Sequence, residues 1–125
     1  MAVTFTTSYN QYCVVGAINN SHLNIIGFTI DGLSNGNSHY RYVGIGYRNS
    51  GGSILNCDIK NIQETPFSGT QHGVGVYMFN DDGIARSFAL LLCTIQDFQK
   101  NATAINSDDA LTVNISGNTI IGKRF

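Results

Sequence analysis

The sequence predicts an all-β solenoid, a chain that winds short strands into about four stacked rungs. Three observations predict it. The stretch Leu90-Leu-Leu-Cys-Thr-Ile-Gln-Asp-Phe98 recurs at residues 25–33, 54–62 and 115–123, so that Ile25, Ile54, Leu90 and Ile115 fall in one column and Ile30, Ile59, Ile95 and Ile120 in another. The copies stand 29, 36 and 25 residues apart, a period that marks stacked repeats. Within each copy the apolar spacing runs 2, then 3, then 2, with Ile, Val and Thr abundant and Gly or Asn every few residues. Bent strands fit that rhythm, and an amphipathic helix does not.

Taken in order, residues 1–11 hold one alternating piece, Val3-Thr4-Phe5, and then a polar run. This reads as an N-terminal edge strand or cap, because a solenoid's terminal rung leaves backbone groups unpaired. Residues 12–125 form the solenoid domain, and each rung has two parts. The first is a short strand at 13–18, 42–47, 73–78 and 102–105, glycine-bearing in the first three rungs. The second is the bent double strand, with Leu23 and Ile25 pointing inward before a corner at Gly27, and Phe28 and Ile30 inward after it. Asn56 and Gly117 occupy the same corner in later copies, where a left-handed backbone costs Gly and Asn little. Phe28, Cys57, Cys93 and Asn118 make a third column, and Leu33, Ile62, Phe98 and Lys123 a fourth. The predicted core is Ile25, Phe28, Ile30, Ile54, Cys57, Ile59, Leu90, Cys93, Ile95, Ile115 and Ile120. The connectors at 34–41 and 63–71 are long and polar while 99–101 is short, and insertions of this kind often build a solenoid's site.

Composition narrows the function. Only 12% of residues are charged and the net charge is −1, which excludes the basic footprint of a nucleic-acid binder. No apolar run approaches the ~18 residues of a membrane span. Met1 leads into Ala-Val-Thr-Phe-Thr-Thr without a basic segment or a long apolar one, so no signal peptide is visible and no compartment is assigned. Cys13, Cys57 and Cys93 are odd in number and lack C-x-x-C spacing, which supports neither a metal site nor a disulfide framework. Cys57 and Cys93 share a column and read as buried thiols, one rung apart.

The alternation of residues 53–62 followed by 73–78, and again of 111–122, resembles the right-handed parallel β-helix repeat of the pectin-lyase-like superfamily. The resemblance spans roughly residues 12–122. It implies a right-handed, single-stranded parallel β-helix of about four rungs, roughly 20 Å tall at ~4.8 Å per rung. Relatives of that kind include polysaccharide lyases and hydrolases and phage tail proteins. Polygalacturonases carry an Asp-Asp pair entering the glycine strand and a Gly-His-Gly one rung later. Here Gln71-His72-Gly73 stands in register for the histidine, but His39-Tyr40-Arg41-Tyr42 replaces the acid pair. Without two carboxylates at that level there is neither a general acid nor a base to activate water.

Two further groups of residues are candidate sites. Asp81-Asp82 and Asp108-Asp109 lie 27 residues apart and are expected on adjacent rungs. Four carboxylates there would either bind calcium, as the acidic residues of pectate lyases do, or cap backbone N–H groups at the corners. The second group follows from alternation in the glycine strand. With Val43, Ile45 and Tyr47 inward, the outer face shows Tyr42, Gly44, Gly46 and Arg48, then Gly75, Tyr77 and Phe79, then Ala102, Ala104 and Asn106. A floor of small residues rimmed by Tyr42, Arg48, Tyr77 and Phe79, with His72 nearby, suits flat sugar faces, and the arginine suits a uronate. The alternative is a face covered by a loop or by another subunit.

The expectation is therefore a non-catalytic module whose ligand is a polysaccharide. The alternative is a carbohydrate-active enzyme, or a fragment of one, acting as a lyase or glycoside hydrolase. The last rung would leave Leu111, Ile115 and Ile120 with an open edge, which predicts a homo-oligomer, a two-fold dimer.

Overall fold

Three sheets, joined rung by rung, build the molecule in a computed structural model that describes residues 3–4, 12–19, 21–39 and 41–123. The first sheet contains β1 (Val3–Thr4), β2 (Tyr12–Ile18), β5 (Tyr42–Arg48), β8 (Val74–Asn80) and β11 (Asn101–Ser107). The second contains β3 (His22–Ile26), β6 (Gly51–Leu55), β9 (Arg86–Leu91) and β12 (Leu111–Ser116). The third contains β4 (Thr29–Asp31), β7 (Asp58–Ile62), β10 (Thr94–Phe98) and β13 (Thr119–Ile121). Every pairing is parallel except that of β1 with β2, where Val3 lies opposite Cys13 and Thr4 opposite Tyr12. Most of the expected N-terminal cap, residues 5–11, lies outside the described residues. Among those described, the only helical piece is a 3-10 turn at Asn35–Ser38 in the first long connector.

The two isoleucine columns are the axis of the fold. Ile25 pairs with Ile54, Ile54 with Leu90 and Leu90 with Ile115. Ile30, Ile59, Ile95 and Ile120 pair in the same way. Between the columns the chain turns at Gly27, Asn56, Leu92 and Gly117, with φ of 74°, 52°, 54° and 67°. Gly and Asn accept this left-handed geometry cheaply, and a leucine does not. Leu92 nonetheless takes it, because its rung must turn in step with its neighbours.

Burial corrects the predicted core at three positions. Along the first column exposure runs 7%, 0%, 0% and 42%, and along the second 8%, 0%, 0% and 50%. Ile115 and Ile120 are in register but lie on β12 and β13, beneath which the described residues place no further strand. Phe28 is 62% exposed although it shares a column with Cys57 and Cys93. That corner is thiol-sized: the Cys57 sulfur lies 3.4 Å from the Leu55 carbonyl and 3.6 Å from that of Ile25, and Cys93 is enclosed likewise by Leu91 and Ile54. A phenyl ring does not fit there, so Phe28 turns outward. Both cysteines, and Cys13, are free thiols.

The first sheet departs from simple alternation. Tyr42 packs in the main core, and Val43 faces the other way in a small cluster with Cys13 and Val74. Gly44 faces inward again, since a Cβ there would lie 3.0 Å from Ile59 Cγ2 and 2.5 Å from the Gly75 carbonyl oxygen. Ile45 and Tyr47 also belong to the main core. Two successive residues, Gly44 and Ile45, thus point inward, and the parity of the strand reverses between its ends. Gly75 with Val76 repeats the same step one rung later.

Candidate functional site

The parity reversal reshapes the expected sugar face. Tyr42 is not on the rim: it is buried, its hydroxyl donates to the Gly32 carbonyl at 2.6 Å, and burial pushes its pKa up to about 12. Gly44, Gly75 and Ala102 face the core as well, so the outer floor is shorter than alternation predicts. Val43 and Cys13 lie on the outer side and are nonetheless buried, and burial pushes the Cys13 thiol well above its ordinary value. What remains outward is Gly46 beside Tyr77, with Ala104 next in the row, and Arg48 beside Phe79, whose ring is buried and offers no open rim to a sugar. Tyr77 is half-buried against Val43 and Val74. The Arg48 guanidinium sits 5.5 Å from the centre of the Phe79 ring and 3.4 Å from an Asp81 oxygen.

The two acidic pairs do stand on adjacent rungs, since Asn80 pairs with Ser107 just before them. Their carboxylates do not converge. Asp81 accepts from the Asn49 side-chain NH2 at 2.9 Å, while its own N–H donates to Oδ1 of the same side chain at 2.8 Å. Asp82 takes both guanidinium nitrogens of Arg86 at 2.5 and 2.7 Å, and this pairing holds its carboxyl below the usual range. Asp109 accepts from the Gly83 N–H at 2.9 Å. Arginines therefore do face this corner, Arg48 from one side and Arg86 from the other. Among the described residues no three His, Cys, Asp or Glu side chains are grouped as a metal would need.

A third cluster lies under the connector at 63–73. His72 is buried, and its Nδ1 accepts the Tyr42 N–H at 3.4 Å, which puts the ring proton on Nε2. That nitrogen donates to Glu64 Oε1 at 2.6 Å. The other Glu64 oxygen accepts from the Ser68 hydroxyl and, at 3.2 Å, from that of Thr70. These donors, Ser68 first and His72 next, hold the Glu64 carboxyl below the usual glutamate range. Gln99 from the next rung clasps the loop, accepting from the N–H groups of Glu64 and Ser68 at 3.0 and 3.4 Å and donating to the Thr70 carbonyl at 3.0 Å. Thr65 reaches the first connector through Asn37 at 2.7 Å, and Lys123 of the last rung lies 5.7 Å from the Phe67 ring.

Sequence reasoning singled out His72 and missed Glu64, Ser68 and Gln99. A signal was present, because Glu64 is the one glutamate in the chain and sits in the longest polar connector. No family model, curated protein or solved structure matches the chain.

Proposed function

We propose that this is a non-catalytic β-solenoid module that binds carbohydrate, a small member of the right-handed β-helix architecture found in the pectin-lyase-like superfamily. The right hand follows from the strong preference of parallel crossover connections. The observation that carries the non-catalytic reading is the fate of the carboxylates. Asp31, Asp58, Glu64, Asp81, Asp82 and Asp109 each have a protein partner. Among the described residues the Asp97 and Asp108 carboxylates have none, and the seven residues of β11 lie between them. At ~3.3 Å per residue they stand roughly 20 Å apart, whereas glycoside hydrolysis needs two carboxyl groups within about 10 Å.

The carbohydrate reading rests on Tyr77, a half-exposed ring with Gly46 and Ala104 as its neighbours in the row. Small neighbours leave one face of the ring able to stack on the apolar face of a sugar. Calorimetry against a panel of plant, bacterial and animal polysaccharides tests it. Binding that weakens about tenfold in Tyr77→Ala supports the reading, and a panel without a single binder removes it.

The enzymatic alternative has one feature in its favour, the pairing of a buried His72 with a partly buried Glu64 under a long loop. Assays for unsaturated products and new reducing ends, with and without calcium, address it directly. Turnover abolished by any of Asp81→Ala, Asp108→Ala or Glu64→Gln would reverse our order, the first two by restoring the acidic corner as a calcium site and the third by placing the chemistry at the Glu64–His72 pair.

Assembly is the remaining part of the proposal. Ile25 and Ile30 in the first rung are buried and Ile115 and Ile120 in the last are not. The two isoleucine columns are thus covered at the first rung and bare at the last. A head-to-tail stack would set the bare columns against covered ones, whereas two copies meeting at their last rungs cover both. A two-fold dimer of the 125-residue chain is the expected species, and light scattering at micromolar concentration checks it.

A further inference from the structure

Between β3, β6 and the start of β9 lies a cleft of about 280 Å³, lined by Ser21, His22, Gly51, Ala85, Arg86 and Ser87. It is on the side of the 81–85 corner away from Tyr77. Its floor is bare for a structural reason: a Cβ on Gly51 would lie 2.7 Å from the Ser87 carbonyl oxygen, so the middle rung cannot carry a side chain there. His22 pairs with Gly51 one rung above it. Neither the His22 imidazole nor the Ser87 hydroxyl has a hydrogen-bond partner among the described residues, and both are exposed. The Ser21 hydroxyl donates to the Ile18 carbonyl at 2.6 Å, which leaves its oxygen able to accept.

The charge of the cleft decides what it takes. Arg86 is the one arginine or lysine among the described residues of its wall, and its guanidinium is already matched by both oxygens of Asp82. An incoming phosphate or uronate would have to displace that bidentate pair, so anions are disfavoured. No Tyr, Phe or Trp is among the described residues that line the cleft, so these give no platform for a nucleobase. The wall offers hydroxyls and an imidazole that can each donate or accept, which matches a neutral polyol. The volume falls just below that of drug-sized pockets, about 300 Å³ and upward, and suits one sugar ring.

We propose that this cleft is a subsite for a single neutral pyranose unit, held by Ser21, His22 and Ser87 against the Gly51 floor. It extends the carbohydrate reading above and does not depend on Tyr77. The probes are methyl α-glucoside, methyl β-galactoside and methyl α-mannoside, titrated into the ¹⁵N-labelled full chain and followed by amide chemical shifts. One of them should move the signals of Ser21, His22, Gly51, Arg86 and Ser87 with a Kd on the order of millimolar, as expected for so small a ligand. Ser87→Ile, a strand-favouring residue that fills the cleft, should weaken that response at least tenfold, as should His22→Ala, while Tyr77→Ala leaves it unchanged. The spectrum of each variant without sugar reports whether it is folded. Shifts confined to the Tyr77 face would sink the subsite and leave the carbohydrate reading standing. Cleft shifts that persist in folded Ser87→Ile, or no shifts with any of the three glycosides, would overturn it.

Discussion

Ile59 and Ile120 occupy the same column two rungs apart, and one is sealed while the other is half exposed. Their sequence surroundings are alike: each follows a corner and a polar outward residue, Asp58 or Thr119. The difference is the presence of a rung below. In a solenoid, burial is set by the neighbouring repeat and not by the residue's own segment, so a repeat pattern reports direction without reporting exposure.

The largest expected effect tests that contrast directly. Ile59→Ala or Ile95→Ala should lower stability by roughly 2–5 kcal/mol, since each leaves a hole between two rungs. In the monomer, at dilution, Ile120→Ala should cost about 1 kcal/mol or less, because its side chain there faces open space. Urea melts of the three variants make the comparison. Equal losses would mean that the last rung is covered in solution, and that outcome would favour the dimer.

A second experiment separates those two cases. Ile115→Lys combined with Ile120→Lys places charges on the open end, where a partner rung would have to bury them. The double variant should be a 13.5 kDa monomer at concentrations where the parent is a dimer. Its melting as a monomer should differ little from that of the parent at high dilution. An unchanged mass would show that the open rung is not the contact.

A smaller effect is expected at the corner that sets the columns apart. Leu92 takes a left-handed φ of 54° at the position that Gly27, Asn56 and Gly117 occupy in the other rungs. Such a backbone costs a leucine about 1–2 kcal/mol, and glycine returns part of that through its larger unfolded-state entropy. Leu92→Gly should therefore raise stability by roughly 0.5–1 kcal/mol. A loss instead would mean that the contact of Leu92 over Gly117, where a Cβ would lie 2.7 Å from Leu92 Cδ2, matters more than the strain.

The sequence made the strand columns legible because Ile, Leu and Val recur at fixed offsets from a Gly or Asn corner. It did not make the parity of the first sheet legible. The step that reverses it falls on Gly44 and Gly75, which have no side chain to reveal which way they face, and so simple alternation points Tyr42 outward. Phe28 failed for the opposite reason, because its column fixes direction while the size of the corner fixes what may enter. At the acidic corner, the four-residue spacing of Asp82 and Arg86 was readable, but the approach of Arg48 to Asp81 arises from stacking across rungs that no local pattern contains. Glu64 and Gln99 meet only because a long connector folds back over the next rung.

That connector contrasts with the rungs in a further way, and a pH titration brings it out. The rungs are held by apolar columns that do not titrate, whereas the loop at 63–73 is pinned through one carboxylate. Hydrogen bonds from Ser68 and then His72 set the Glu64 pKa in the folded chain below its ordinary value of 4.5. A depressed carboxylate contributes stability that is present above the unfolded pKa and is lost as pH falls through the folded one. The parent should thus lose this contribution on acidification from about pH 5 downward, and Glu64→Gln should lose less over the same window. The glutamine keeps one acceptor oxygen, for His72 or for Ser68 but not both, and a protonated Glu64 is likewise reduced to one carbonyl acceptor, so the two proteins should be nearest in stability at the acid end. The readout is the difference between their urea midpoints from pH 6 to pH 3, the smallest of these effects. A difference that stays constant over that range would show that Glu64 is not what fastens the loop, and Gln99→Ala would then be the variant expected to release it.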